Sequence, residues 1–321
     1  MDTITQGFLG ACAAQGVLRR RIDLPLTLAG AIGAMAPDAD IFIRSASDPL
    51  LSLEYHRHFT HSLFFIPFGG LLVTLLLVWF YRKKYSFGLL YLVVTVGYGT
   101  HALLDACTAY GTVLLWPFSN NRFAWNYIAV LDPVVSLVLF LGLVLSLYFR
   151  RALPALLGLI LTFSYIGFGY VQHERVEKFQ QKIASHRGHS IERSFIQPAV
   201  LNLIVWRSVY QSGDHYYVDG FRVLPNGHAR YWEGGSLPVF DKKFENPPIP
   251  EGSRLGRDLE RYEWFSDGYL APFADGPKVI GDIRYSTYAN GLKPIWGIRF
   301  DSKTPHLPVQ KARFGFRPIP A

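Results

Sequence analysis

Charged residues make up only 17% of this 321-residue chain, while half of it is hydrophobic. Soluble domains carry about a quarter charged residues, so the shortfall argues against an ordinary soluble enzyme. Cysteine is nearly absent. Cys12 and Cys107 lie in apolar surroundings and form no CxxC pair, which suits buried thiols and excludes a thiolate zinc site. The start, Met1-Asp2, lacks the basic n-region and cleavage site of a signal peptide. There is no internal repeat, no helix-turn-helix pattern and no basic helix with interleaved aromatics. The net charge of +8 is therefore read as cytoplasmic loop bias and lipid headgroup contact, not nucleic-acid binding.

What is present is apolar sequence in long runs. Leu63–Tyr81 has nineteen residues without a charge, Ala152–Val171 has twenty, and Ile128–Phe149 has twenty-two with only Asp132 charged. About twenty apolar residues cross a bilayer core as helix, and Phe87–Leu104, broken only by His101, makes a fourth long span. Gly7–Leu18 and Leu24–Ala36 are shorter and predict a helical pair, re-entrant or hairpin-like. The composition changes near Gln172. The expected fold is an α-helical membrane domain, residues 1–172, followed by a small α+β extramembrane domain, residues 173–321. Within the latter, strands are expected over Val200–Tyr210 and Tyr216–Leu224, a helix over Arg254–Trp264, and a second strand pair over Lys278–Thr287 and Pro294–Phe300. The Pro-rich tail from Thr304 is expected to be loose.

Three basic clusters, Arg19-Arg20-Arg21, Arg82-Lys83-Lys84 and Arg150-Arg151, orient the spans if all face the cytoplasm of a multi-pass inner (plasma) membrane protein. The C-terminal domain then lies on the extracytoplasmic side. This assignment brings one set of polar groups to the same face at similar depth: Asp38 and Asp40, His56 and His61, His101 and Asp105, and Asp132. Ionisable residues in apolar spans are costly and usually functional. His101 and Asp105 share a helix face at i,i+4. Pro37 ends regular helix before Asp38, and Thr60 is a candidate N-cap for the first long span, with His56 in the preceding loop. Imidazole and carboxylate together suit zinc, manganese or iron. The expected ligands are Asp38, Asp40, His56, His61, His101 and Asp105, enough for one or two ions. Taken singly, His101 could be a core histidine, Asp38 and Asp40 caps, and Asp132 a helix cap.

The opening Met1-Asp2…Thr5, the motif Pro37-Asp38-Ala39-Asp40, the motif His56-Arg57…Thr60-His61-Ser62 and the pair His101…Asp105 resemble the YdjM-like family over roughly residues 1–150. That family is also called LexA-binding and comprises inner-membrane-associated metal-dependent hydrolases. The resemblance implies metal binding and hydrolysis. Many members have His where this chain has Gln6 and Gly where it has His58, so Gln6 is expected behind the ligands, and His58 is a candidate for the missing imidazole.

Three functions follow as expectations. The first is a membrane-bound hydrolase acting at the membrane–water boundary on a lipid or phosphoester. Asp38, Asp40 and His61 are its catalytic candidates, Arg57 would contact a substrate anion, and Gln6, His58 and Asp132 would stand behind. The second is a non-enzymatic membrane protein with a structural His/Asp cluster and a partner-binding outer domain, the partner unspecified. The third is a metal or proton transporter, which would carry ionisable residues deep in several spans.

Overall fold

In the computed structural model, residues 1–19, 22–274 and 278–314 are described. Arg20 and Arg21 of the first basic cluster, and the end of the Pro-rich tail, lie outside them. The chain forms two compact units. The first comprises residues 1–42, 55–173 and 200–203; the second comprises 43–54, 174–199 and the chain from 204 onward.

The first unit is helical. Helix α1 (Thr3–Leu18) starts at Asp2, whose side chain accepts the Thr5 N–H, a standard way to satisfy an orphan donor. Helix α2 (Leu24–Met35) runs on into a 3-10 turn, Ala36–Phe42. The short α3 (Leu51–Tyr55) precedes 3-10 turns at Phe59–His61 and Leu63–Phe65, and α4 (Ile66–Tyr81) follows. Helices α5 (Phe87–Ala106), α6 (Pro133–Phe149) and α7 (Leu153–His186) complete the set.

By length and composition, three helical stretches among the described residues can cross a membrane: Leu63–Tyr81, Phe87–Ala106 and Leu153–His186. The span expected over Ile128–Phe149 is shorter than predicted. Its helix begins at Pro133 and has 17 residues, about 26 Å of rise. Asp132 accepts the Val134 and Val135 N–H groups as the N-cap, and proline at the first helical position cannot extend the ladder backward. The start of the first long span also differs. Thr60 caps nothing there; Ser62 accepts the Phe64 N–H at the second 3-10 turn, and α-helix begins only at Ile66.

Helices α1, α2 and α5 touch backbone to backbone. A methyl group on Gly97 would stand 2.0 Å from the Gly30 carbonyl oxygen, and one on Gly30 would stand 2.4 Å from Ala14 Cβ. Small residues permit this approach, the usual device for packing helices that gain little from burial against lipid. Leu26, Leu90, Val93, Val94 and Tyr98 fill the core around the contact.

The second unit carries two four-stranded antiparallel sheets. The first, in order, is β1 (Arg193–Pro198), β2 (Val205–Ser212), β3 (His215–Val223) and β4 (Ala229–Pro238). The expected hairpin is there, turning at Gly213, whose φ is +61°. Helix α8 (Arg254–Phe265) follows, then β5 (Leu270–Ala274), β6 (Lys278–Asp282), β7 (Trp296–Phe300) and β8 (Gln310–Arg313), paired in that order. Strands β6 and β7 are antiparallel partners, as the spacing around Asn290-Gly291 predicts. Arg207 on β2 is 2% exposed and donates to the carbonyls of Ile283, Tyr288, Ala289 and Gly291, tying the first sheet to the connection between β6 and β7.

Candidate metal centre

Four side chains converge in the first unit: Asp38, His61, His101 and Asp105, with one ligand atom from each lying within 4.8 Å of the others. His101 and Asp105 come from one face of α5. Asp38 comes from the 3-10 turn after α2, where Pro37 ends the α-helical ladder. His61 comes from the 3-10 turn at Phe59–His61, which rotates its ring inward. Asp105, His61 and His101 have no exposed side-chain surface, and Asp38 is 13% exposed.

The donor atoms are spaced as a small tetrahedral ion requires. His61 Nε2 is 3.4 Å from Asp105 Oδ2 and 3.8 Å from Asp38 Oδ1; His101 Nε2 is 3.5 Å and 3.4 Å from the same two oxygens. Bonds of about 2.0–2.1 Å to a tetrahedral zinc ion imply ligand–ligand edges of about 3.3–3.4 Å. Both Nε2 atoms are buried without a hydrogen-bond partner, while Asp105 Oδ2 is paired with Arg57 Nε at 2.8 Å. Buried nitrogens are expensive to leave unsatisfied, and two of them facing two carboxylate oxygens fit a cation.

The opposite ring atoms are all engaged. His101 Nδ1 lies 2.5 Å from the Ala34 carbonyl oxygen. A carbonyl can only accept, so Nδ1 carries a hydrogen, which leaves Nε2 as the ring atom available to a metal. His61 Nδ1 faces Thr60 Oγ1 at 3.0 Å and Asp40 Oδ2 at 3.3 Å, and the Thr60 hydroxyl donates to the same Asp40 oxygen. A carboxylate behind a ligating imidazole fixes its tautomer and orientation.

Of the six residues expected as ligands, Asp40 and His56 stand behind the four. Asp40 Oδ1 pairs with His56 Nδ1 at 2.7 Å, and Oδ2 accepts the Arg57 N–H at 2.8 Å. Burial works to raise the Asp40 carboxyl pKa, but hydrogen bonds from His56 and His61 outweigh it and hold the group well below the usual carboxylate range. His56 sits at the end of α3 with its ring against Tyr110, and its side chain is 23% exposed. Five residues separate it from His61, and the 3-10 turn between them sends only His61 to the convergence point.

Arg57 faces inward. It is 4% exposed, its Nε lies 2.8 Å from Asp105 Oδ2, and its Nη1 donates to Thr108 Oγ1. Its backbone has φ +61°, uncommon for a residue with a side chain, and is pinned by the Asp40 contact and by the Val113 N–H donating to its carbonyl. Gln6 is fully buried and donates to Asp105 Oδ1 at 2.9 Å, and the Met1 amine lies against the same oxygen. His58 packs among Tyr55, Phe59 and Trp116, away from the convergence point. Asp132 caps α6 and accepts from the Tyr165 hydroxyl, outside the cluster.

Several supporting residues were not picked out from the sequence. Thr3 donates to Asp38 Oδ2 at 2.6 Å, Thr108 holds Arg57, and the Tyr98 hydroxyl donates to the Thr60 carbonyl. Tyr98 and Thr108 fall three residues before His101 and three after Asp105, a helical spacing that could have flagged them.

The three carboxylates outnumber the cationic groups set among them, the Arg57 guanidinium and the Met1 amine. Buried charge without compensation is costly, and a cation at the convergence point would offset the excess of carboxylates. The donor set, nitrogen and oxygen without sulfur, fits zinc or manganese.

A stretch of 139 residues, 41% of this chain, is 36% identical to the inner membrane protein YbcI of Escherichia coli and covers 78% of that protein. Another match, 24% identical over 219 residues, is to the uncharacterized protein YfhP of Bacillus subtilis; it takes in 68% of this chain and 62% of the relative. No solved structure matches the chain. The family model for YdjM inner membrane proteins matches residues 1–176, all of the helices that build the cluster. The chain belongs to the YdjM inner membrane protein family.

Proposed function

We propose that the protein is a membrane-bound, metal-dependent hydrolase working at the membrane–water boundary. One observation carries the reading: two buried imidazole nitrogens without hydrogen-bond partners, His61 Nε2 and His101 Nε2, face Asp105 Oδ2 and Asp38 Oδ1 at 3.4–3.8 Å, close to the edges of a tetrahedral ion site. Asp38, His61, His101 and Asp105 hold one divalent ion, zinc or manganese. Such an ion supplies Lewis acidity and lowers the pKa of water. Asp38, the ligand with exposed surface, faces the water side and accepts its proton. Asp40, which meets His61 Nδ1 through one oxygen and His56 Nδ1 through the other, would hold the His61 ring in place. Arg57, whose Nε lies 2.8 Å from Asp105 Oδ2, would place its guanidinium beside the centre to meet an anionic substrate group.

The substrate class we favour is a lipid or a lipid-linked phosphoester. Ile41 and Phe42 directly follow Asp40, and Phe64 lies three residues after His61; all three are more than half exposed. An apolar rim beside a polar centre suits an amphiphilic substrate. The inner-membrane orientation read from the basic clusters puts the second unit on the extracytoplasmic side, and we retain it as part of this proposal.

A second reading has its own support. Four protein ligands complete a tetrahedron, and closed sites are commonly structural. The two readings part in one experiment. Purified protein in detergent is analysed for bound metal and assayed against ester, phosphomonoester and phosphodiester substrates, including phospholipids, with His61→Ala and Asp105→Ala alongside. Hydrolysis by wild type that both substitutions abolish supports the enzyme. Bound metal with no hydrolysis of any substrate leaves the structural reading, and wild type without metal ends both.

A further inference from the structure

The segment 43–54 separates Asp40 from His56, yet it belongs to the second unit. Its grip is electrostatic and comes from α8. Arg261 meets Glu54 Oε2 through Nε at 2.8 Å and Nη2 at 2.6 Å, and meets Asp48 through Nη1 at 3.1 Å and Nη2 at 3.0 Å. Asp258, whose side chain is fully buried, orients the same guanidinium at 3.2 Å and also accepts the Val309 N–H. Arg254 donates to the Ser47 carbonyl, and Lys311 to Ser52 Oγ at 2.8 Å. Single exposed ion pairs contribute little. One planar guanidinium fixed on a buried carboxylate and shared by two more is different, because its fork dictates position.

The restrained loop runs directly into the ligand segments. Asp40 lies three residues before Ile43, and His56 lies two residues after Glu54. At about 3.3–3.6 Å per extended residue, displacement at either end reaches the cluster within a few bonds. We propose that Arg261 is a positioning residue for the metal centre: by holding Asp48 and Glu54 it fixes the loop between the two ligand-bearing segments, and so the placement of Asp38 and His61. The proposal rests on the metal reading above.

The test uses the full chain in detergent, stripped of metal. Zinc affinity is measured by competition with a chromophoric chelator, and coordination geometry by the visible absorption of the cobalt-loaded protein. Arg261→Ala and the double variant Asp48→Asn/Glu54→Gln are each expected to bind zinc about tenfold more weakly, the lower end of the effect of losing a group that supports ligands, and to change the cobalt band intensities. Arg261→Lys recovers part of the affinity. Glu260→Ala, which removes only the exposed Lys242–Glu260 pair on the same helix, leaves both readouts at wild-type values. The double variant alters only loop side chains at least 24% exposed, so it reports even if Arg261→Ala does not fold. Wild-type affinity and spectrum in the double variant would overturn the proposal while leaving the metal reading intact. Wild type that binds neither zinc nor cobalt would remove the metal reading and this proposal together.

Discussion

If four donors in the first unit hold a divalent ion, adding zinc to metal-stripped protein raises its melting temperature by an amount that can be worked out. A ligand at a hundred times its Kd stabilises the folded state by about 2.7 kcal/mol. In a domain of 150–250 residues each kcal/mol moves the midpoint by about 2–4 °C, so the expected rise is about 5–11 °C. His101→Ala deletes a donor with no exposed surface whose Nδ1 is already locked to the Ala34 carbonyl. Taking the loss as about a hundredfold in affinity, in line with metal-site substitutions, the same zinc concentration then equals the Kd. The stabilisation falls to about 0.4 kcal/mol, near 1 °C. Differential scanning fluorimetry on the seven tryptophans reads both values, and the shift between zinc-free and zinc-loaded samples cancels any packing cost of the substitution. An undiminished zinc shift in His101→Ala would refute the four-donor site.

Other consequences are equally direct. Asp40→Asn leaves all four ligands in place but loses the carboxylate behind His61, and isothermal titration should show zinc binding weakened about 10- to 100-fold; unchanged affinity would mean the Asp40–His61 contact is incidental. The folded Asp40 carboxyl titrates below its ordinary value, so its contribution to stability is present above about pH 4 and is lost as pH falls toward the folded pKa. Metal-free wild type should therefore lose melting temperature between about pH 4 and 2 more steeply than Asp40→Asn. Gly97→Val forces side-chain atoms onto the Gly30 carbonyl, an overpacking expected to cost about 3 kcal/mol or more, seen as loss of monodisperse protein in size-exclusion chromatography; a well-folded Gly97→Val protein would show that α2 and α5 can separate.

The membrane character was legible because it depends on composition over long windows. The i,i+4 pair on α5 was legible because helical spacing fixes the shared face. The division of labour among Asp38, Asp40, His56 and His61 was not. It is decided by two 3-10 turns, Ala36–Phe42 and Phe59–His61, whose pitch turns side chains by amounts an α-helical or loop reading does not supply. Asp38 and Asp40 therefore part company two residues apart, one toward the convergence point and one behind it. The inward turn of Arg57 was not legible for a similar reason: a left-handed backbone at that position turns the guanidinium toward Asp105. The length of α6 was set by a capping carboxylate and a proline that the charge count recorded only as one interruption in an apolar run. The hold of Arg261 on Asp48 and Glu54 spans more than 200 positions, beyond any local pattern.

That separation also orders events during synthesis. All four donors have been synthesised once Asp105 is added, whereas Arg261 follows 156 residues later (261 − 105). At about 5–20 residues per second, the interval is about 8–30 s. During it the donors can meet and take up an ion while segment 43–54 still lacks its partner on α8. If the cluster holds an ion as proposed, its capture and its final tuning would be distinct stages in the life of one chain, the second waiting on the arrival of a single guanidinium.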